Sequence, residues 1–263
     1  MIQGSDIITN LFFYFPFYLL VFARMFGMLA TAPLFSNSNI PMKFKVGLAC
    51  FMAIIFLPAL SPIQQSFVIS YNWVIIFIAE TLIGMAMGFV ANLAFYSVVV
   101  AGQFVDLQMG FGFANVLDPQ LGIQVPIMGN FNQIIAMLIF LIINGHHWLI
   151  LGVMRSYEVL PLGTYIMSSG FIDLTSKLIA NFFIIAFQIS LPVVGALALS
   201  DICMGIIAKT MPQMNVFVIG MPMKILIGFF ILMFTMPLFV SSLYGVFEHA
   251  IDDMIRLAAS LAG

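Results

Sequence analysis

Long runs of apolar residues, separated by short polar or turn-rich stretches, dominate the pattern of the chain. Six of these runs are candidate membrane helices by length and apolar content, namely Ile7–Leu29, Val46–Leu60, Trp73–Val100, Ile134–Met154, Leu178–Leu199 and Ile225–Tyr244. At 1.5 Å per residue the second would be about 22 Å long and the third about 42 Å long, whereas the bilayer core is about 30 Å thick. Since unequal helices are accommodated more easily among partner proteins than in lipid, the pattern predicts about six unequal helices in a subunit of a larger complex.

Composition and charge support this assignment to the membrane. Of the 263 residues, 63% are hydrophobic and 7% are Asp, Glu, Lys or Arg, whereas soluble domains carry about 25% charged residues. The formal net charge is −2 and there is no basic run, which argues against a nucleic-acid-binding surface. The sequence therefore predicts an all-α, polytopic membrane protein.

The last residues differ in pattern from the rest, which predicts a membrane domain over 1–245 and a separate amphipathic tail over 246–263. One helical face of this tail would be apolar and the other charged, with Asp252 and Arg256 spaced for an i, i+4 pair. We expect the tail to lie at an interface or against a partner.

The stretch 101–126 is the most unusual part of the chain, because glycines, phenylalanines and uncharged polar residues alternate there. No Lys or Arg balances its two aspartates, and its polar residues include Gln103, Asp106, Gln108 and Asp118. Irregular polar backbone at membrane depth occurs only where it is buried in protein or lines a water-filled cavity. A movable seal needs bulky apolar side chains and flexible hinges, and this stretch places Met109, Phe111 and Phe113 among the glycines Gly110 and Gly112. An ordinary extramembrane loop is the alternative.

Two charges and two glycines stand out within the apolar runs. Arg24 lies in the first run and Glu80 in the third, where an unpaired charge costs roughly 2.5–3.5 kcal/mol on insertion scales. Each residue is predicted to be paired or functional, unless it lies near a helix end. Gly84 and Gly88 form a GxxxG pattern, which permits close helix approach and predicts an assembly face.

Motifs for catalysis or metal binding are missing from the sequence. There is no GxSxG, HExxH or phosphate-binding loop. His146 and His147 are adjacent and would point about 100° apart on a helix. Cys50 and Cys203 lie in separate apolar stretches and are expected to be small buried side chains. We therefore expect no enzymatic activity, no cofactor and no metal.

A series of short motifs along the chain resembles the FliR family, the R subunits of the type III secretion export gate. They begin at Arg24 and Thr31-Ala32-Pro33-Leu34, continue through Glu80, Gly84 and Gly88, and include Asp106-Leu107-Gln108-Met109-Gly110. The most specific stretch contains Pro212, Gln213, Asn215, Phe217, Pro222 and Lys224. The resemblance extends from about Arg24 to Pro237, whereas the tail shows no convincing match.

The resemblance implies a non-enzymatic subunit of a helical export gate in the bacterial inner membrane, at the flagellar basal body. Its expected partners are the P and Q subunits (FliP, FliQ), the B subunit (FlhB) and the unfolded flagellar proteins that pass through the pore. In that family the matching loop is a plug, so Met109, Phe111 and Phe113 become the expected sealing side chains, with Gly110 and Gly112 as hinges.

Two alternatives stay open on the sequence alone. One is the homologous subunit of a virulence injectisome, which shares the Pro-Gln-x-Asn-Val-Phe stretch. The other is a small-solute channel or secondary transporter with Glu80, Asp106 and Asp201 as ion-coupling residues, although no internal repeat supports it.

Overall fold

The computed structural model describes residues 4–36, 39–60, 73–111, 126–165, 169–213 and 215–262. In these ranges the chain forms seven α-helices and no strand, which confirms the all-α class. The helices are α1 (Gly4–Thr31), α2 (Met42–Leu60), α3 (Trp73–Met109), α4 (Ile127–Ile142), α5 (Gly145–Val159), α6 (Ser169–Thr210) and α7 (Val216–Ser260).

Three helices are long and apolar enough to cross a membrane within the described part of the chain. They are α3, α6 and α7; a fourth span is reached if α4 and α5 are counted together as one broken span. Phe15–Thr31 of α1 forms a shorter apolar helix. The described residues therefore do not confirm about six membrane-spanning helices, although the apolar runs themselves are largely helical.

The fourth predicted run, Ile134–Met154, is not one helix. The chain leaves α4 at Ile143 and enters α5 through Asn144, which has a left-handed backbone with φ 57°. Asn is one of the few residues that adopt this conformation readily, and Gly145 follows it. A hydrophobicity average does not register such a break, because the short Asn144-Gly145-His146-His147 stretch lies between two apolar runs.

The helices group into two compact units. The first contains residues 1–93, 144–178 and 248–263, and the second contains residues 94–143 and 179–247. The first thus holds α1, α2, the first part of α3, α5, the start of α6 and the end of α7, and the second holds the end of α3, α4 and the rest of α6 and α7.

The predicted tail continues α7 without interruption to Ser260. Its apolar face is buried within its own chain: Met254 and Ala258 are fully buried in the first unit, and a Cβ at Gly152 of α5 would lie 3.4 Å from Met254 Cε. Arg256 Nη1 pairs with Asp253 Oδ1 at 3.6 Å, one turn of helix away, rather than with Asp252. The expected Asp252–Arg256 pair is wrong, since Asp253 is the carboxylate that the arginine reaches.

Candidate functional site

A fully buried ion pair lies within the first unit. Arg24 Nε of α1 donates to Glu80 Oε2 of α3 at 2.6 Å, and both side chains have no exposed surface. Arg24 Nη1 donates to Ser156 Oγ at 3.1 Å and to the Leu160 carbonyl at 3.0 Å. The backbone N–H of Gly163 donates to Glu80 Oε1 at 3.1 Å.

The surroundings of the pair add one aromatic contact and leave one nitrogen without a hydrogen bond. Arg24 Cζ lies 4.3 Å from the centre of the Tyr157 ring, within the range of a cation–π interaction. Arg24 Nη2 is buried and has no hydrogen-bond partner among the described residues. A buried charge is tolerated only when it is paired, so this network joins α1, α3 and the end of α5.

The glycines of α3 lie directly against α1 in the first unit. A Cβ on Gly84 would collide with the Arg24 carbonyl, and a Cβ on Gly88 would lie 2.7 Å from the Met28 carbonyl. Gly27 of α1 mirrors this arrangement, because a Cβ there would collide with the Thr81 carbonyl. The GxxxG pattern is therefore used for close packing within the chain.

The start of the predicted plug loop is helical in the structure. Helix α3 extends past Val100 to Met109, so Gln103, Asp106 and Gln108 lie on a helix, and Gln103 is exposed. The expected loop boundary at 101 is thus wrong by nine residues, since polar side chains on one helix can face other helices of the chain. Gly112, Phe113 and Asp118 lie outside the described residues.

The end of α3 is packed into the core of the second unit. Met109 is fully buried, and a Cβ on Gly228 of α7 would lie 2.6 Å from Met109 Cε. Gly110 then takes a positive φ of 86°, a conformation that glycine adopts without steric cost, and Phe111 packs partly buried against the same core. Met109 is therefore a core residue here, and the chain turns at Gly110.

Three polar side chains meet near this end of α3. Asp201 of α6 accepts a hydrogen bond from Gln108 Nε2 at 2.9 Å through Oδ2, and its Oδ1 forms an ion pair with Lys224 Nζ of α7. Gln108 and Lys224 are thus brought together by a third residue, and the arrangement joins three helices of the second unit.

The remaining residues of the most specific sequence stretch surround the turn between α6 and α7. Pro212 and Gln213 are exposed in this turn, and the Asn215 carbonyl accepts from Val218 N at 3.1 Å as α7 begins. Pro222 is exposed on α7, whereas the side chain of Phe217 lies outside the described part. Of this stretch, Lys224 makes the ion pair with Asp201.

Several residues of these networks were missed by sequence reasoning. Ser156, Tyr157 and Gly163 lie more than 70 positions from Glu80 and carry no motif, so only folding reveals them. Cys203 is exposed and Cys50 half-buried, in contrast to the expected burial, because Cys203 lies on an unpacked face of α6. Among the described residues no group of three His, Cys, Asp or Glu side chains could hold a metal ion.

Comparison with known proteins identifies relatives over nearly the whole chain. The profile of the family described as "Bacterial export proteins, family 1" matches residues 15–250. The chain is 38% identical over 248 residues to the "Flagellar biosynthetic protein FliR" of Bacillus subtilis, covering 93% of this chain and 95% of the relative. It is 29% identical to the protein of the same name from Escherichia coli, covering 90% and 89%, and 26% identical to that from Aquifex aeolicus, covering 89% and 93%.

The described part of the chain is helical and contains three or four long apolar helices, and export proteins match the chain along its length, so it is a membrane protein of bacterial protein export. This class comprises transport components rather than enzymes. The chain belongs to the bacterial export proteins, family 1, together with the flagellar biosynthetic proteins FliR.

Proposed function

We propose that the chain is a non-enzymatic subunit of the flagellar type III protein export gate. It would reside in the bacterial inner membrane at the flagellar basal body and form part of the pore for unfolded flagellar subunits. The observation that carries this proposal is the match to FliR of Bacillus subtilis, which covers 93% of the chain without a large unmatched region.

The proposed partners are FliP, FliQ and FlhB. Support comes from the apolar surfaces that the single chain leaves uncovered: only 6% of the most apolar part of α7 and 22% of that of α6 are buried. These helices have 45 and 42 residues, or about 67 and 63 Å at 1.5 Å per residue, roughly twice a bilayer core. Lipid alone does not cover such lengths, so partner subunits account for them better.

We further propose that the stretch after Met109 closes the pore. The positive φ at Gly110 supports a hinge at this position, because the chain leaves α3 there with a conformation that glycine allows. Phe111 and Phe113 would then supply the sealing surface, whereas Met109 would anchor the stretch in the core. The proposal requires that an assembled complex lacking these side chains conducts ions.

The experiment for the gate assignment is purification of the tagged full chain in a gentle detergent from its native membrane, followed by mass spectrometry. We expect FliP and FliQ to co-elute in constant ratio, and a membrane protein of unrelated family carrying the same tag serves as control. Recovery of the chain alone, or only with itself, would contradict the proposal and favour a transporter.

The same measurement separates the flagellar from the injectisome assignment. The relatives from Bacillus subtilis, Escherichia coli and Aquifex aeolicus are named flagellar, which favours the flagellar gate. Co-elution of injectisome subunits in place of FliP and FliQ would reverse this choice.

A further inference from the structure

Asp106 makes hydrogen bonds at both ends of the stretch between α3 and α4. Its backbone carbonyl accepts from Gly110 N at 3.2 Å and from Phe111 N at 3.1 Å, where α3 ends. Its carboxylate accepts from Met128 N through Oδ1 at 2.9 Å and from Gly129 N through Oδ2 at 3.2 Å, where α4 begins. In the sequence, the first two donors precede residues 112–125 and the other two follow them. The Asp106 side chain is buried.

The first turn of α4 has no cap of its own. Its N-cap residue is Pro126, whose side chain makes no capping hydrogen bond. The first N–H groups of any helix lack partners within the helix, and a negative charge near them is favourable. The Asp106 carboxylate satisfies two of these groups from 22 and 23 positions earlier in the chain.

A pair of glycines brings the two helices close enough for this short side chain to reach. Gly102 lies one turn before Asp106 on the same face of α3, and a Cβ there would lie 2.6 Å from both Gly129 N and the Met128 carbonyl. A Cβ on Gly129 would lie 3.2 Å from the Val99 carbonyl. The backbones of α3 and α4 are therefore in direct contact beside the carboxylate.

We propose that Asp106 is a positioning residue that clamps the first turn of α4 to the last turn of α3. The clamp sets the separation between Phe111 and Pro126, the two described ends of the intervening stretch. The clamp is argued from the Asp106 hydrogen bonds and the Gly102–Gly129 contact alone. Any effect of the clamp on closure of the pore rests on the proposed function.

The test is amide hydrogen exchange, resolved to single residues, on the full chain in its native complex. In Asp106→Ala both acceptors are lost, so exchange at Met128 and Gly129 should accelerate by about tenfold or more. In the isosteric Asp106→Asn one oxygen becomes an amide nitrogen, so at least one of the two N–H groups should accelerate. The matched control is Asp173→Ala, which removes an exposed aspartate of α6.

A distance measurement separates positioning from a general loss of stability. Spin labels at the exposed positions Leu107 and Ile134 report on the α3–α4 junction in a background of Cys50→Ser and Cys203→Ser. We expect Asp106→Ala to broaden or shift the distance distribution while partner subunits still co-purify. Asp173→Ala should leave the distribution unchanged.

If Met128 and Gly129 exchange as slowly in Asp106→Asn as in the unchanged chain, the clamp is overturned. This outcome decides the question even if Asp106→Ala fails to assemble. The plug is judged separately by ion conductance. Fast exchange and altered distances in a complex that remains ion-tight when Gly110–Phe113 is removed would support the clamp and contradict the plug.

Discussion

At the scale of single residues, the fold explains how two charged side chains are tolerated in apolar segments. Arg24 and Glu80 are 56 positions apart in sequence, yet their side chains form a hydrogen-bonded pair with no exposed surface. Removal of one partner from a buried pair leaves an uncompensated charge, which costs much more than the pair contributes relative to apolar residues. Correct packing of the first unit therefore requires both Arg24 and Glu80.

We predict that Glu80→Gln destabilises the chain by about 3–5 kcal/mol, because the guanidinium of Arg24 stays buried without its counter-charge. The measurement is the apparent Tm of the purified complex in mild detergent. The double variant Arg24→Met with Glu80→Gln should lose less stability than the sum of the single variants, since neither charge then remains buried.

The control is Asp253→Asn, which breaks the more exposed Arg256–Asp253 pair, where Arg256 is 70% exposed. Surface pairs contribute about 1 kcal/mol or less. Two outcomes would show that the buried pair contributes no more to stability than a surface pair. One is a strictly additive loss of stability in the Arg24 and Glu80 variants, and the other is an equal loss in Glu80→Gln and Asp253→Asn.

At the scale of secondary-structure elements, α3 organises its surroundings through small residues. In the first unit Gly84 and Gly88 admit the backbone of α1, and Thr31 Oγ1 donates to the Met85 carbonyl at 3.0 Å across the contact. In the second unit Gly102 admits α4 in the same way. Small residues let helices approach closely, and a neighbouring carbonyl can then accept a hydrogen bond.

We predict that Gly84→Leu sharply lowers the amount of assembled protein, because any side chain at this position collides with the Arg24 carbonyl. Recovery is measured as co-purified chain per unit of membrane, by quantitative mass spectrometry. The matched control is Gly205→Leu on α6, where a Cβ meets nothing within 4 Å. Equal recovery of Gly84→Leu and Gly205→Leu would contradict the claim that Gly84 is needed for close packing of α3 against α1.

At the scale of the whole molecule, the chain leaves much of the apolar surface of its long helices exposed. Exposed large apolar side chains lie on α2, α3, α4, α6 and α7, and those on α6 and α7 include Phe183, Phe187, Phe230 and Phe234. Apolar patches of this extent mark lipid or protein contacts. The proposed pore is thus a property of an assembly, and its closure has to be tested there.

We predict that deletion of Gly110–Phe113 leaves the proposed partners FliP and FliQ bound but makes the assembled complex conduct ions, because the proposed sealing side chains are gone. The measurement is single-channel current across a planar bilayer. The control removes phenylalanines elsewhere, with Phe44→Ala and Phe51→Ala on α2, and should stay ion-tight. An assembled deletion complex without current would contradict the plug.

The sequence alone determined the class of protein, because apolar runs and scarce charges exclude a soluble fold without any knowledge of contacts. It also determined the family, since short motifs along the chain can be recognised without knowing how the helices pack. In addition, it marked Arg24, Glu80, Gly84 and Asp106 as unusual. It did not determine the helix break at Asn144 or the extension of α3 to Met109, because apolar and glycine-rich segments are compatible with more than one backbone path.

Only the tertiary structure decided the partner of each marked residue. Glu80 binds Arg24 and the Gly163 amide, Asp106 binds the start of α4, and Asp201 joins Gln108 to Lys224. These contacts link positions far apart in the chain, and hydrophobic periodicity carries no information about which helices become neighbours. The physical reason is that a buried polar group must be satisfied, but the sequence does not state by which group.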